Sequence, residues 1–236
     1  MRRGNRRLDG GALLLLGSPE AQKVHMFGGD CYVHEVNGRT RFVEKHPVAD
    51  MALAEVRGSL HRAPTELVEF HCMLVWREAF EQVGFLDELL LNTREHSDLC
   101  LRVRRGGGTV FLEPGSLVTW MAPPPVQLQD LPFFLRRWSD EWNWCSLCHF
   151  RDKWELTDDG ARFAHSLEFL EGYRWAALGL DRPQALLRRL LGWRRGTWLT
   201  RGLFLPPERA LTRLLTPETR RLPYRLGDGA PAAPGP

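Results

Sequence analysis

The sequence predicts an α/β fold in the first half of the chain, followed by a helical extension. Short apolar runs such as Ala12–Leu16 and "LVEFHCMLV" (67–75) have the length and composition of buried strands. The stretch "CYVHEVNGRTRFVEKH" (31–46) predicts a hairpin, because two extended runs meet at Asn37-Gly38. Helical patterns follow, and strand, helix, helix, strand is the order expected for part of an α/β layer fold.

Composition sets the broad class of the protein. A chain of 236 residues, 43% of them apolar, can bury one sizeable core and carry a small second unit. No apolar run is as long as a membrane-spanning helix, and the leucine block in "GGALLLLG" is too short for a signal peptide. The five cysteines are scattered, which indicates reduced intracellular thiols. We therefore expect a cytoplasmic protein, with the inner face of the membrane as the alternative location.

Residues 50 to 120 contain three predicted helices and, besides the strand at 67–75, two further predicted strands. The helices are "DMALAEVRGSLH" (50–61), which ends before Pro64, "REAFEQVG" (77–84), which Gly84 closes, and "NTREHSDLCLRVRRGGG" (92–108). The third helix has Asn92 or Thr93 as its N-cap and glycine at its C-terminal end. The stretch "TVFLEPGSLVTW" (109–120) then predicts two strands that break at Pro114-Gly115.

The second half of the chain is predicted to be helical after the three prolines at 123–125. One buried helical face is predicted from residues at helical spacing, namely Leu131, Phe134, Leu135, Trp138, Trp142, Cys145 and His149. The predicted domains are residues 1–125, a helical extension over 126–225 and a disordered tail over 226–236, which is rich in Pro, Gly and Ala.

A basic segment lies between Arg182 and Arg225. It contains eleven arginines against two glutamates, and aromatic residues such as Trp193 and Trp198 are interleaved with them. Such a segment could contact anionic lipid or another polyanion, with no specific nucleic acid expected as a partner. A solvated helical tail explains the same composition, so the sequence leaves both interpretations open.

Two short motifs that often bind cofactors have simpler explanations here. "CSLCH" (145–149) matches the C-x-x-C-H pattern of haem attachment, but Cys145 and His149 also belong to the predicted apolar face. We predict no haem, and no zinc at this motif, because no second C-x-x-C or paired histidine accompanies it. "GGG" (106–108) follows a helix instead of preceding one, so it cannot direct a helix N-terminus at phosphate.

Glu95, His96 and Asp98 form a polar group at the start of the third predicted helix. Acidic residues in the first turn favour the positive end of the helix dipole, and Asp98 can pair with Arg102 one turn later. A structural role therefore accounts for this group on local grounds. A catalytic role depends on support from the flanking sequence.

The flanking sequence supplies four motifs in a fixed order. They are Met73–Val83, Gly84–Glu88, Glu95–Arg102 and Val110–Trp120. This series resembles the second half of the catalytic domain of family 2 glycosyltransferases, where "mLvrRe.fe.vG.fDE" precedes "EDvDLclR...aG" and a strand ending in "P...v.H". Order and spacing agree over about fifty residues, and a weaker resemblance covers residues 12–156. The resemblance implies a partial GT-A (Rossmann-like) domain over residues 1–125, lacking the N-terminal nucleotide-binding half.

The resemblance also implies a reaction, namely inverting transfer of a sugar from a nucleotide-diphosphate donor to an acceptor hydroxyl. That chemistry needs a general base and a divalent cation. The family base is the aspartate of "ED", and the matching residue here is His96. Histidine can act as a general base, and Glu95 or Asp98 could orient it. By the same resemblance, the acceptor site would include His71, Arg137 and Trp138.

Two departures from the family pattern affect the expected cofactors. Trp120 stands where the family has a histidine that can reach the metal, and no aspartate of the chain forms the D-x-D metal motif. The family uses Mg²⁺ or Mn²⁺ with a nucleotide-sugar donor, but the sequence assigns no residue here to a metal or a cofactor. Because the donor half would precede residue 12, we expect either a partner subunit that supplies it or a longer natural chain.

The sequence therefore predicts a glycosyltransferase-like enzyme, truncated or partner-dependent, that acts on a nucleotide-sugar and a glycan or glycolipid acceptor. The alternative is a non-catalytic interaction module that binds a polymer or a membrane surface through its basic segment. Donor binding with a divalent metal separates the two functions, because only the enzyme requires it.

Overall fold

The structure is a computed structural model that describes residues 7–8, 12–16, 22–120, 126–157 and 160–226. The chain divides into two compact units. The first comprises residues 1–88, 94–123 and 152–158, and the second comprises 89–93, 124–151 and 159–236. The predicted domain boundary after residue 125 differs from this division mainly in the short segments 89–93 and 152–158. Of the tail predicted to be disordered, only Leu226 lies among the described residues.

The first unit is mixed α/β and contains the strands. They are β1 (Arg7–Leu8), β2 (Ala12–Leu16), β3 (Lys23–Met26), β4 (Asp30–Val36), β5 (Arg39–Lys45), β6 (Pro64–Thr65), β7 (Thr109–Phe111) and β8 (Glu113–Trp120). In one sheet β7 pairs with β1 in parallel and with β6 antiparallel, and in another β2 pairs with β8 in parallel and with β3 antiparallel. The predicted strand at residues 12–16 is confirmed by β2.

The predicted hairpin is confirmed by β4 and β5, which pair antiparallel over their whole lengths. Asn37 and Gly38 both have positive φ, at 53° and 71°. Two central residues with positive φ form the tight turn whose twist matches that of the flanking strands. The hairpin therefore follows directly from its Asn-Gly dipeptide.

Helices occur in both units. They are α1 (Leu53–Val56), α2 (Arg77–Val83), α3 (Glu95–Arg105), α4 (Leu131–Arg137), α5 (Asp140–Lys153), α6 (Gly160–Ala177), α7 (Asp181–Leu191) and α8 (Trp193–Leu215). The predicted closure of α2 is confirmed, since the Gly84 amide donates to the Phe80 carbonyl at 2.8 Å. The helix predicted over 50–61 is shorter than expected, because α1 continues only as a 3-10 turn over Arg57–Ser59. None of the described helices is both long and apolar enough to cross a membrane.

The N-cap of α3 differs from the prediction, whereas its C-terminal glycine is confirmed. Arg94, and not Asn92 or Thr93, occupies the N-cap, with a left-handed φ of 72°. The Asn92 side chain does not cap the helix, and its Nδ2 donates a hydrogen bond to Asn143 Oδ1 at 3.1 Å. At the other end Gly106 is the C-cap, and the next residue, also glycine, has a φ of 79°.

The strand predicted over residues 67–75 is wrong, because the chain from Glu66 to Trp76 is irregular. Leu67 and Val68 are buried, but Leu74 and Trp76 are 66% and 52% exposed. A buried strand needs its whole length to lie inside a sheet, whereas this segment turns near residue 71 and leaves the core. We name it the 66–76 loop.

A further prediction differs from the structure in where the chain breaks. The strands β7 and β8 are separated at Leu112 instead of at Pro114-Gly115. Those residues form an irregularity inside β8, because Ala12 pairs with Glu113 but Leu13 pairs with Leu117. Proline cannot donate a ladder hydrogen bond, so it is accommodated where the pairing is interrupted.

The single helical face predicted over residues 131–149 is wrong, because α4 and α5 are separate helices. The Ser139 hydroxyl accepts a hydrogen bond from the Trp142 amide at 3.1 Å and so caps the start of α5. This helix is buried on most of its circumference, as shown by Asn143, Trp144, Cys145, Ser146, Leu147, Cys148 and Phe150. An apolar helix with little periodicity is typical of a buried element.

Each unit has its own buried residues. In the first unit they include Val24, Phe42, Leu67, Leu99, Val103 and Val110, all at most 1% exposed. In the second unit Trp144, Leu147 and Cys148 form one cluster, with Leu167, Tyr224 and Leu226 packed against it. Replacement of a fully buried leucine by alanine lowers the free energy of unfolding by about 2–5 kcal/mol. Each set of buried residues therefore contributes substantially to stability.

Candidate active site

Four histidines and two glutamates lie close together in the first unit and form what we name the histidine cluster. Its members are His25, His46, His71, His96, Glu44 and Glu69. His25 belongs to β3, Glu44 to β5, and His46 follows directly after that strand. Glu69 and His71 belong to the 66–76 loop, and His96 to the first turn of α3.

The 66–76 loop is held in place at its start by contacts of Thr65 and Glu66. The Thr65 hydroxyl exchanges hydrogen bonds with the backbone amide and carbonyl of Gly29, at 3.1 and 3.2 Å. Any side chain at Gly29 would meet the Lys45 carbonyl oxygen, which lies only 2.1 Å from the position of a Cβ. Glu66 itself accepts from the Cys31 amide at 3.0 Å and pairs with Arg104 of α3. These contacts fix the start of the loop against β4 and α3.

Glu69 joins two histidines within the cluster. Its Oε2 atom lies 2.8 Å from His71 Nδ1 and 3.7 Å from His25 Nε2. The two imidazole rings have an edge-to-face arrangement, with centroids 5.1 Å apart. One ligand atom from each residue lies within 4.8 Å of the other two, a spacing that could hold a metal ion.

Glu44 is the second carboxylate of the cluster, and it holds the start of α3. Its Oε2 accepts from Arg94 at 2.7 Å and from the Ser97 hydroxyl at 2.8 Å, and its Oε1 lies 3.4 Å from His46 Nε2. The Arg94 guanidinium also stacks over the Phe42 ring at 4.8 Å. A left-handed backbone is unfavourable for arginine, so these contacts explain how Arg94 is kept at the N-cap.

His96 lies in the first turn of α3, at the position where the resemblance to family 2 glycosyltransferases implies the general base. Its Nδ1 is 3.9 Å from Glu95 Oε1, which is beyond hydrogen-bond distance, and its ring contacts Phe70 with centroids 6.2 Å apart. Its Nε2 is buried and has no hydrogen-bond partner among the described residues. A buried imidazole nitrogen without a partner is costly in a structure and marks a candidate functional group.

The carboxylates and histidines influence one another electrostatically. Burial raises the pKa of Glu44, but hydrogen bonding to His46 and the charges of Arg94 and His96 outweigh it and leave that pKa lowered. Burial likewise raises the pKa of Glu69, yet His71, His96 and His25 leave it lowered. The charge of His96 thus acts on both glutamates, so its ring lies within electrostatic reach of each.

The histidines themselves shift in opposite directions. Burial lowers the pKa of His25, and Glu69 offsets this only in part. The hydrogen bond to Glu44 raises the pKa of His46, and burial opposes it. Of these two histidines, His25 is therefore the one whose surroundings favour the neutral imidazole.

Asp98 has a different environment, although it is only two residues from His96. Its carboxylate is fully buried and lies 2.8 Å from Arg102 Nε, 2.9 Å from Lys153 Nζ and 3.0 Å from Trp154 Nε1. Arg102 in turn donates to the carbonyls of Val83, Gly84 and Phe85, so it caps α2. The predicted pair between Asp98 and Arg102 is confirmed, and the contacts support a structural role for Asp98.

The remaining predicted acceptor residues, Arg137 and Trp138, belong to the second unit. The Arg137 guanidinium lies over the Trp138 ring at 5.6 Å, and that ring stacks on Tyr173 at 4.5 Å. Their assignment to an acceptor site stays a prediction. Trp120 stands where the family has a histidine that can reach the metal, and only its backbone lies among the described parts of the chain.

The described thiols offer little nucleophilic chemistry. Burial raises the pKa of the Cys100 thiol to about 12 and also raises that of Cys31. Cys145 and Cys148 of the "CSLCH" motif are buried too, and burial raises the pKa of Cys145. Because the thiolate is the reactive form, these four cysteines are poor candidates for catalysis. Cys72, next to His71, is partly exposed.

Sequence reasoning found two members of the cluster, His71 and His96, but not the other four. His25, Glu44, His46 and Glu69 are spread over 45 residues and follow no recognised ligand spacing. Only pairing of the strands and anchoring of the 66–76 loop bring them together.

Two surface clefts, with volumes of about 280 and 350 Å³, are lined by other residues of the first unit.

Comparison with known proteins does not extend this description. No protein-family model, curated protein or solved structure matches the chain. Membership of family 2 glycosyltransferases is therefore a proposal that depends on the sequence motifs and on the geometry of the cluster.

Proposed function

We propose that this chain is a glycosyltransferase-like protein, the acceptor-side part of a partial GT-A domain, with the histidine cluster as its active site. The observation that carries the proposal is the position of His96 together with its Nε2 atom, which has no hydrogen-bond partner among the described residues. His96 lies at the helix mouth where the resemblance expects the base. Parallel pairing of β2 with β8 and of β1 with β7 is compatible with part of such a sheet.

In the proposed reaction His96 takes the proton from the acceptor hydroxyl through Nε2. The freed oxygen attacks the anomeric carbon of the donor sugar, and the nucleoside diphosphate leaves with the electron pair of the broken C–O bond. Glu44 stabilises the imidazolium that forms, since this carboxylate interacts with its charge. Because Nε2 is buried, acceptor binding has to displace a covering side chain, for which Phe70 is the candidate.

The proposed role of His96 is tested by nucleoside diphosphate release from a panel of nucleotide sugars, with glycan and glycolipid acceptors. We expect His96→Ala to reduce turnover about 100-fold or more, because general-base catalysis contributes roughly 10²–10⁴-fold. The donor KM and the thermal midpoint should change little. The matched control is His61→Ala, since His61 is an exposed histidine whose hydrogen-bonding contact is with the nearby Ser59 carbonyl.

Wild-type turnover in His96→Ala would remove His96 from the mechanism. Equal losses in His96→Ala and His61→Ala would also contradict the proposal, because they would indicate a general effect of substitution. Any donor that supports turnover would at the same time identify the nucleotide that the protein uses.

A second candidate function is binding to an anionic membrane surface, and a specific feature of α7 and α8 favours it. Five large apolar side chains, Leu186, Leu190, Leu191, Trp193 and Trp198, are between 45% and 78% exposed. Five arginines, Arg182, Arg188, Arg189, Arg194 and Arg195, lie in the same stretch. Exposed apolar side chains mixed with arginines are typical of helices that lie in the headgroup region of anionic membranes.

A further inference from the structure

The group formed by His25, Glu69 and His71 suits a metal ion that prefers nitrogen ligands more strongly than the Mg²⁺ or Mn²⁺ expected by resemblance. Its possible ligand atoms are two imidazole nitrogens and one carboxylate oxygen. Mg²⁺ prefers six oxygen ligands, whereas imidazole suits zinc and other first-row transition metals. The chemistry of the three side chains therefore selects against Mg²⁺.

The distances agree with such an ion. Two protein ligands about 2.1 Å from a tetrahedral zinc ion lie about 3.4 Å from each other. The distances from Glu69 Oε2 to His71 Nδ1 and to His25 Nε2 are 2.8 and 3.7 Å, one on either side of that value. The two histidine nitrogens lie within 4.8 Å of each other. Binding of an ion would therefore replace the hydrogen bond between His71 and Glu69 and draw the three ligand atoms to coordination distance by side-chain rotation.

The backbone supports the geometry from separate elements. His25 is fixed by its position in β3, because the residues on either side of it, Val24 and Met26, are buried. Glu69 and His71 are fixed by the anchored 66–76 loop, where Val68 also accepts a hydrogen bond from the Cys100 thiol at 3.7 Å. A site built from rigid supports needs little rearrangement to bind an ion.

The exposure of the group indicates what kind of metal site it would be. The side chains of His25, Glu69 and His71 are 30%, 17% and 34% exposed. Zinc sites with three protein ligands and access to solvent keep a fourth position for water or substrate, whereas structural sites are closed by four ligands. The exposure therefore fits the open kind.

We propose that His25, Glu69 and His71 form a site for a divalent first-row transition metal, with Zn²⁺ or Co²⁺ as the preferred ion. Its open position would accept water or an anionic oxygen ligand. Glu69 supplies the negative charge, and the two histidines supply neutral nitrogen ligands. The site does not depend on glycosyl transfer, because metal binding requires neither donor nor acceptor.

The test is a Co²⁺ titration of the full chain, prepared without a polyhistidine tag and with Cys72→Ser as the background to remove a nearby thiol. We expect visible d–d absorption bands at one ion per chain, loss of the bands on addition of Zn²⁺, and no displacement by millimolar Mg²⁺. His71→Ala should weaken Co²⁺ binding at least 30-fold, and Glu69→Gln should weaken it at least tenfold. His61→Ala is the matched control and should bind as the background protein does.

Circular dichroism and the thermal midpoint without metal establish that each variant folds, and His25→Gln serves as a further variant that keeps side-chain volume. Absence of one-to-one Co²⁺ binding would overturn the proposal, as would equal affinity in the background protein, His71→Ala and Glu69→Gln. His96→Ala should retain the metal site while it loses turnover, so failure of the metal proposal and failure of the proposed function are distinguishable.

Discussion

Asp98 and His96 lie two residues apart in α3, yet their side chains have opposite surroundings. Asp98 is buried between Arg102, Lys153 and Trp154, all of which donate to it. His96 points its Nε2 at no partner among the described residues. The sequence groups both with Glu95 as candidate catalytic residues, but the contacts separate a structural carboxylate from a candidate base.

At the residue scale we predict that Asp98→Asn destabilises the protein without directly impairing catalysis. The change removes a buried negative charge that compensates two cations, and breaking such a pair costs about 3–5 kcal/mol, somewhat less here because Arg102 and Lys153 are partly exposed. Urea denaturation should therefore show a free energy of unfolding lower by about 2–4 kcal/mol.

The control for this prediction is Glu81→Gln. Glu81 forms the same kind of pair with Arg77, also four residues away, but both side chains are largely exposed. Exposed helix pairs contribute about 0.3–0.5 kcal/mol, so the control should change stability little. A stable, folded Asp98→Asn protein without turnover would contradict the structural role and restore Asp98 as a catalytic residue.

At the element scale, α7 and the start of α8 form a helical pair with an unusual surface. The Arg188 guanidinium lies over the Trp193 ring at 3.8 Å, and Gly196 allows close approach, since a Cβ there would lie 2.6 Å from the Arg188 backbone. None of the residues of α7 is buried. A solvated helical tail explains the arginines, but not the exposed leucines and tryptophans beside them.

We predict that the full chain floats with vesicles containing 30% phosphatidylserine and floats less at high salt. Trp193→Ser combined with Trp198→Ser should weaken partitioning at least tenfold, because each buried large apolar side chain contributes about 1.5–3 kcal/mol. The control is Phe85→Ser combined with Leu128→Ser, which removes side chains that are 77% and 88% exposed outside these helices. Equal partitioning of the two double variants would contradict a specific membrane surface on α7 and α8.

At the scale of the whole molecule, local signals predict the elements better than they predict the site. Asn37-Gly38 and Gly84 specify their turns through backbone conformation alone, so the hairpin and the end of α2 are predictable from the sequence. The 66–76 loop is not, because an apolar run predicts burial but does not show whether the chain pairs in a sheet. The cluster depends on that loop, which explains why His25 and Glu69 escape sequence reasoning.

The two units contain different candidate functional regions. The first contains the histidine cluster and the motifs that resemble family 2 glycosyltransferases, whereas the second contains Arg137, Trp138 and the exposed surface of α7 and α8. In the second unit Arg174 is buried and pairs with Asp140 at 2.9 Å and with Glu208 at 2.6 Å. That network gives the second unit an ordered interior of its own, consistent with either an enzyme or an interaction module.

The central claim is that the chain acts on a nucleotide sugar, and donor binding tests it most directly. Donor binding would be measured by calorimetric titration of the full chain with UDP-, GDP- and dTDP-sugars, each with Zn²⁺, Mn²⁺ or Mg²⁺. We expect at least one donor to bind at one molecule per chain and to be displaced by its nucleoside diphosphate. Absence of binding by every donor at millimolar concentration, both to the purified chain and to the protein isolated from its own cells with any bound partner, would contradict a glycosyltransferase function and favour an interaction module.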